Sequence, residues 1–202
     1  MRILVVGATG TIGAGVSSVL EDRGHEVLRV GSSSGPLRAN IADPESIAAL
    51  YAAAGAVDAV VCTAGVAQFG PLEELTDEGF STSIANKLMG QVNLVRGGLS
   101  RVSEGGSFTL TSGGLSQKPD AGTVAVSMVG AGVEAFTRAA AIDLEGSYRV
   151  NVVSPGWVAE SRIKMGLEPM PGIWAKDLAE YYVELVEGDQ TGQIVSAETA
   201  KP

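Results

Sequence analysis

The chain has 202 residues, 45% of them hydrophobic, and a formal net charge of −9. That length fits one domain, and the apolar fraction suffices for a packed core. The acidic balance argues against nucleic acid as a partner, because a phosphate backbone calls for basic patches. No apolar run reaches the ~18 residues of a membrane span.

The N-terminal Met1-Arg2-Ile3-Leu4-Val5-Val6 runs straight into a glycine loop. That predicts no signal peptide and a cytoplasmic protein. Residues 2–6 read as a strand, and a helix follows the loop through about Leu20. Residues 26–30 form a second strand. Asp43-Pro44-Glu45 has the form of a helix start, with Asp as N-cap and Pro in the first turn; Gly55 ends that helix. Residues 58–62 are a third strand, and a long helical pattern runs from Thr76 to about Val102.

Gly105-Gly106 then opens a strand at 107–111, and a helix covers 124–144. Residues 149–153 are a strand, 177–187 a last helix, and 193–195 a possible edge strand. The stretch 157–175, with Trp157, Met165 and Trp174, is the least regular and predicts a pocket wall or lid. Strands alternating with helices imply βαβ units: an α/β fold, one doubly wound parallel sheet of the Rossmann kind with helices on both faces.

Cys62 is the only cysteine, in an apolar run, which predicts a small buried hydrophobe and excludes an intrachain disulfide. His25 is the only histidine, so there is no Cys/His cluster for zinc and no metal site is expected. A Ser-His-Asp triad would have to use His25, which lies in a helix-to-strand turn.

The strongest motif is Gly7-Ala8-Thr9-Gly10-Thr11-Ile12-Gly13, placed between a strand and a helix. One glycine makes the tight turn, one lets the backbone approach a pyrophosphate, and one lets helix and sheet pack closely. Free N–H groups and the helix dipole favour the anion. No Gly-Lys-Ser/Thr follows, so this is not a P-loop. At the end of the second strand, where an acidic residue would read the 2′-hydroxyl of NAD, stands Gly31-Ser32-Ser33-Ser34. Hydroxyls there, with no carboxylate, lean toward NADP over NAD. The usual Arg is missing at that spot, and Arg29 and Arg38 are its candidate substitutes. The same serines also fit a plain polar loop.

These residues resemble the short-chain dehydrogenase/reductase family over nearly the whole chain. Thr9 to Gly13 is similar to its cofactor loop, and Asn40-Ile41 to its adenine-contacting pair, with Asn for the usual Asp. Cys62-Thr63-Ala64-Gly65 is similar to its Asn-Asn-Ala-Gly stretch, with only Ala64-Gly65 retained. Val133 to Arg138 resembles its helix behind the active site, and Ser154-Pro155-Gly156 the turn flanking the nicotinamide. The resemblance implies a nicotinamide cofactor and a small-molecule substrate.

It also implies a Ser and a Tyr-x-x-x-Lys, and here the chain departs. Ser112 matches the Ser, but Val126 stands at the Tyr position and Gly130 at the Lys position, and no Tyr-x-x-x-Lys occurs anywhere. Registered on Gly90, the position of the family's active-site Asn carries Lys87. A desolvated Lys87 could act as acid or base, or take over the ribose contact. The other register gives that position to Asn86 and leaves Lys87 on the surface; Gln91, one turn on, is uninformative.

Three functions stay open. The first is an NADP(H)-dependent oxidoreductase on a small carbonyl or alcohol, with Ser112 and Lys87 catalytic. The second is a non-redox isomerase, dehydratase or cyclase, and the third a nucleotide-binding or sensing protein. The family commonly dimerises or forms tetramers through the two long helices. Their apolar residues here are Leu88, Val92, Val95 and Leu99, and Val129, Val133, Phe136 and Ala140. A homo-oligomer is therefore expected, although core packing needs the same spacing.

Overall fold

The computed structural model describes residues 1–200. Seven strands form one sheet: β1 (Arg2–Val6), β2 (Glu26–Gly31), β3 (Leu37–Arg38), β4 (Val57–Cys62), β5 (Val102–Thr111), β6 (Arg149–Pro155) and β7 (Ile194–Ala197). Their order is β3-β2-β1-β4-β5-β6-β7. Every neighbouring pair is parallel. The central strands read as continuous apolar runs because both faces of a parallel sheet are covered.

One face carries α2 (Pro44–Ala54), α4 (Met89–Gly98) and α5 (Val124–Asp143), over a core that includes Leu4, Val60, Phe108 and Val152. The other carries α1 (Thr11–Asp22) and α7 (Ala175–Glu187), over Ile3, Val61, Leu178 and Tyr182. Strand order reverses between β1 and β4, so the crevice outside their carboxyl ends is where such a sheet takes a ligand.

Several boundaries differ from the sequence pattern. The run predicted as one helix to Val102 is α3 (Asp77–Ser83), a π-helical turn (Ile84–Leu88) and α4, which stops at Gly98. Val102 belongs instead to β5, which therefore starts before Gly105-Gly106, through a register shift opposite Val57–Ala59. A π turn widens the helix where a side chain inserts into its ladder: Gln91 Nε2 donates to the Lys87 carbonyl at 3.0 Å. The two-residue β3 is too short for a strand pattern to announce it. The irregular stretch 157–175 contains a short helix, α6 (Ala159–Lys164), and a parallel bridge from Val158 to Ile173.

Asp43 caps α2 as expected: its side chain accepts from the Glu45 N–H, and Pro44 sits in the first turn. Of the apolar residues expected to serve self-association, Val95, Val129, Val133 and Ala140 are buried in the chain's own core. Large apolar side chains left exposed on the same stretches include Ile84, Met89, Val124, Met128 and Ile142. By length and composition alone α5 would span a bilayer; here it packs on β6 with Ala125, Val129 and Val133 fully buried.

Candidate active site

The glycine loop follows β1 and enters α1. Gly7 takes a positive φ of 90°, which only glycine adopts without strain. A Cβ on Gly13 would lie 2.2 Å from the Gly7 carbonyl oxygen, so its bare Cα lets the first turn of α1 fold over the loop. A Cβ on Gly10 would meet only the Gly7 carbonyl, at 3.3 Å. The surface above Gly10 is thus open, and the residues present fit a pyrophosphate laid on the loop. The Thr11 hydroxyl, at the start of α1, accepts from Lys164 Nζ at 2.6 Å.

Ser32 and Ser33 are exposed at the end of β2. The structure separates the two arginines near them. Arg29 is held by Glu21, with its Nε and Nη2 donating at 2.8 and 2.7 Å. Arg38 lies opposite Gly31 in the β2–β3 register and is exposed, without an ion pair among the described residues. Asn40 Oδ1 accepts from the Ala42 N–H at 3.1 Å. Ile41 is buried beneath α4, where a Cβ on Gly90 would fall 2.8 Å from it.

The cleft beside the loop has a volume of about 580 Å³. Ile12 of the loop, Pro155 and Gly156 after β6, and Trp157 all line it. So do Val126, Phe69 and the ion pair Lys118–Glu198, at 2.8 Å. Met165 lies outside this lining and is exposed. Ile12 thus places the glycine loop at the edge of the same cleft that Pro155-Gly156 lines.

Ser112 directly follows β5, and Lys87 packs against Gly65, three residues beyond the end of β4; neither lines the cleft. Lys87 is partly buried on the π turn, its Cδ against Gly65 (2.5 Å from a Cβ built there). Its ammonium has no hydrogen bond or ion pair among the described residues. Burial lowers the Lys87 pKa, with a smaller opposing influence from Cys62. Cys62 is itself buried, and burial raises its thiol to about 11. Asn86, the competing candidate, is used otherwise: its Oδ1 accepts from the Val66 N–H at 2.8 Å and fixes the loop after β4.

Ser112 is 7% exposed, and its hydroxyl donates to Glu134 Oε1 at 2.8 Å. Ser116 Oγ reaches the same oxygen at 2.5 Å and Ser154 Oγ at 3.3 Å. Glu134, in α5, is 6% exposed. Helical side chains lean toward the N-terminus, so Glu134 lies over the turn of Gly130, four residues earlier. Gly130 has no side chain to compete: a Cβ there would meet only Ser116.

Sequence reasoning passed over Glu134 and Gln91. Gln91 is fully buried and bonds both the N–H and the carbonyl of Thr111, at 2.8 and 2.9 Å. It thereby ties the π turn beneath Lys87 to the strand end that carries Ser112. A Glu and a Gln at core-facing positions of two apolar helices were the available signals, since such groups are buried only with partners.

Residues 8–181 match the family described as enoyl-(acyl carrier protein) reductase. The chain belongs to the short-chain dehydrogenase/reductase family. Among its curated relatives, versicolorin reductase 1 of Aspergillus parasiticus is 29% identical over 177 residues, covering 76% of this chain and 68% of that protein. Elsinochrome reductase 1 of Elsinoe fawcettii is 28% identical, over 77% and 67%. Among solved structures, the protein lin1944 of Listeria innocua is similar at a TM-score of 0.92 and 37% identity, over 97% of this chain and 98% of that one. A small-chain dehydrogenase crystallised with NADPH gives 0.86 and 28%, over 98% and 96%. As a member of this dehydrogenase/reductase family, the chain is an oxidoreductase of the nicotinamide-dependent type.

Proposed function

We propose that the protein is an NADPH-dependent reductase of a flat, largely apolar aromatic ketone or quinone, working without the Tyr and Lys of its family. The observation that carries this is that Ile12 of the glycine loop lines the same cleft as Pro155-Gly156, with Phe69, Val126 and Trp157 also along it. Relatives named for reducing versicolorin and elsinochrome support the substrate class.

NADPH is favoured over NADH by Arg38 and the serine loop, which offer a cation and hydroxyls to a 2′-phosphate where no carboxylate stands. The bound cofactor supplies the hydride. Lys87 packs against Gly65 beyond β4 and its ammonium has no hydrogen bond or ion pair among the described residues, so it stabilises the oxygen on which negative charge develops and gives it a proton. Its lowered pKa makes that proton easier to release. Ser112 holds the substrate beside it. The exposed Ile84, Met89, Val124 and Met128 offer a self-association face, which sedimentation would test.

The test begins with fluorescence titration by NADPH and by NADH. Tight NADPH binding and oxidation of NADPH by a panel of aromatic ketones and quinones are expected. Binding of neither nucleotide would overturn the proposal, and nucleotide binding without hydride transfer to any acceptor would return the protein to a sensing role.

A further inference from the structure

Among the described residues, Lys118 is the only cation on the lining of the cleft, which also carries two carboxylates, Asp120 and Glu198, and is otherwise mostly apolar side chains and glycine. Lys118 comes after β5 and Glu198 after β7, and β6 runs between those strands. The 2.8 Å bond from Lys118 Nζ to Glu198 Oε1 therefore joins segments that leave the sheet on either side of β6. The lining between them is bare backbone. A Cβ on Gly156 would stand 3.5 Å from Glu198 Cα, one on Gly114 would stand 3.4 Å from the Pro155 carbonyl oxygen, and one on Gly113 would meet nothing within 4 Å. The ion pair is thus the polar feature of a stretch of wall that has no side chains of its own.

Lys118 and Glu198 keep 77% and 51% of their side chains exposed, and an ion pair so exposed is weak. An ammonium has three N–H donors, and Glu198 takes one of them, so Lys118 has donors to spare at the cleft wall. We infer that Lys118 is the specificity-determining residue of the cleft: it donates to a second oxygen of the substrate, one that the hydride step does not use, so that the cleft favours a quinone over a ketone with a single carbonyl. This deepens the reductase proposal and rests on it for the identity of the cleft. A quinone carries two carbonyls on one flat ring, and while one is reduced the other is free to accept from Lys118. Glu198 keeps its own bond, so no charge has to be displaced. An ionised acid is treated differently. It would bring a further negative charge to a lining that already sets two carboxylates against one ammonium, and repulsion acts against it. The selection is for a neutral acceptor.

The test uses three flat probes, titrated by ligand-observed NMR into the full chain with NADP+ present, so that no hydride is available to pass. They are 2,3-dimethyl-1,4-naphthoquinone with two carbonyls, 2,3-dimethylchromone with one, and 2-naphthoate with a carboxylate. The quinone should bind about fivefold tighter than the chromone, the weight of one hydrogen bond, and naphthoate should bind most weakly. Lys118→Met should erase the advantage of the quinone and leave the chromone unchanged, and Lys118→Arg, still a cationic donor, should keep part of it. Glu198→Gln should tighten naphthoate and preserve the preference for the quinone. Both side chains are exposed, so the variants should fold, and NADP+ affinity in the same samples checks this. Equal binding of quinone and chromone, an advantage that survives Lys118→Met, naphthoate as the tightest probe, or binding of no probe would overturn the inference. Failure of the nicotinamide proposal shows separately, as absent NADP+ binding with the order of the probes intact.

Discussion

Gly65 and Lys87 fit together because one of them has no side chain: a Cβ on Gly65 would stand 2.5 Å from Lys87 Cδ and 3.2 Å from its Cα. Gly65 also has a φ of 134°, which L-residues with side chains rarely adopt. Gly65→Ala should therefore cost ~2 kcal/mol of stability and dislodge Lys87. Thermal unfolding and NADPH oxidation measured together would show both losses; a variant that loses neither would mean that the amine is not held by this contact.

Lys87→Met should slow hydride transfer by roughly 10²–10⁴-fold, the usual worth of a positioned acid, while NADPH binding changes little. Its stability should move the other way. Burial lowers the Lys87 pKa, so between that value and ~10.4 the unfolded chain binds more protons than the folded one. The parent protein thus gains stability as pH rises through that window, and Lys87→Met does not. The variant should be the more stable of the two at neutral pH, with the difference closing toward high pH. Denaturant melts across the pH range would check the sign.

Two loop glycines should fail differently. Gly13→Ala places a Cβ 2.2 Å from the Gly7 carbonyl, so the fold itself should suffer, with a drop in melting temperature. Gly10→Ala meets one atom at 3.3 Å and should fold. Its methyl would stand where the pyrophosphate approaches, and NADPH affinity should fall by about tenfold or more. Circular dichroism and nucleotide titration separate the two.

Arg38→Ala should weaken NADPH by about tenfold and leave NADH unchanged, because only one of the two carries a 2′-phosphate. Arg29→Ala should change neither, since that guanidinium is engaged with Glu21. Equal loss for both nucleotides at Arg38 would place it on the shared part of the cofactor instead.

The sheet was legible because its strands are short apolar runs punctuated by glycine, and the βαβ alternation leaves few topologies. The glycine loop was legible from spacing and context together. Less was legible where side chains act through space. Glu134 and Ser112 are 22 positions apart and meet only because β5 and α5 pack together. The break in the long helix at Ile84–Leu88 depends on Gln91 bonding Thr111 and the Lys87 carbonyl, which no periodicity contains. The competition between Asn86 and Lys87 likewise needed coordinates, since adjacent helix positions face different neighbours.

Lys164, at the end of α6, donates to Thr11 at the start of α1, beside the glycine loop. One ammonium thus bridges the glycine loop and the short helix that follows Trp157 and Val158 of the cleft wall. An anion laid on the loop would compete with Thr11 for that ammonium, so the resting place of one exposed side chain depends on whether the cradle is filled.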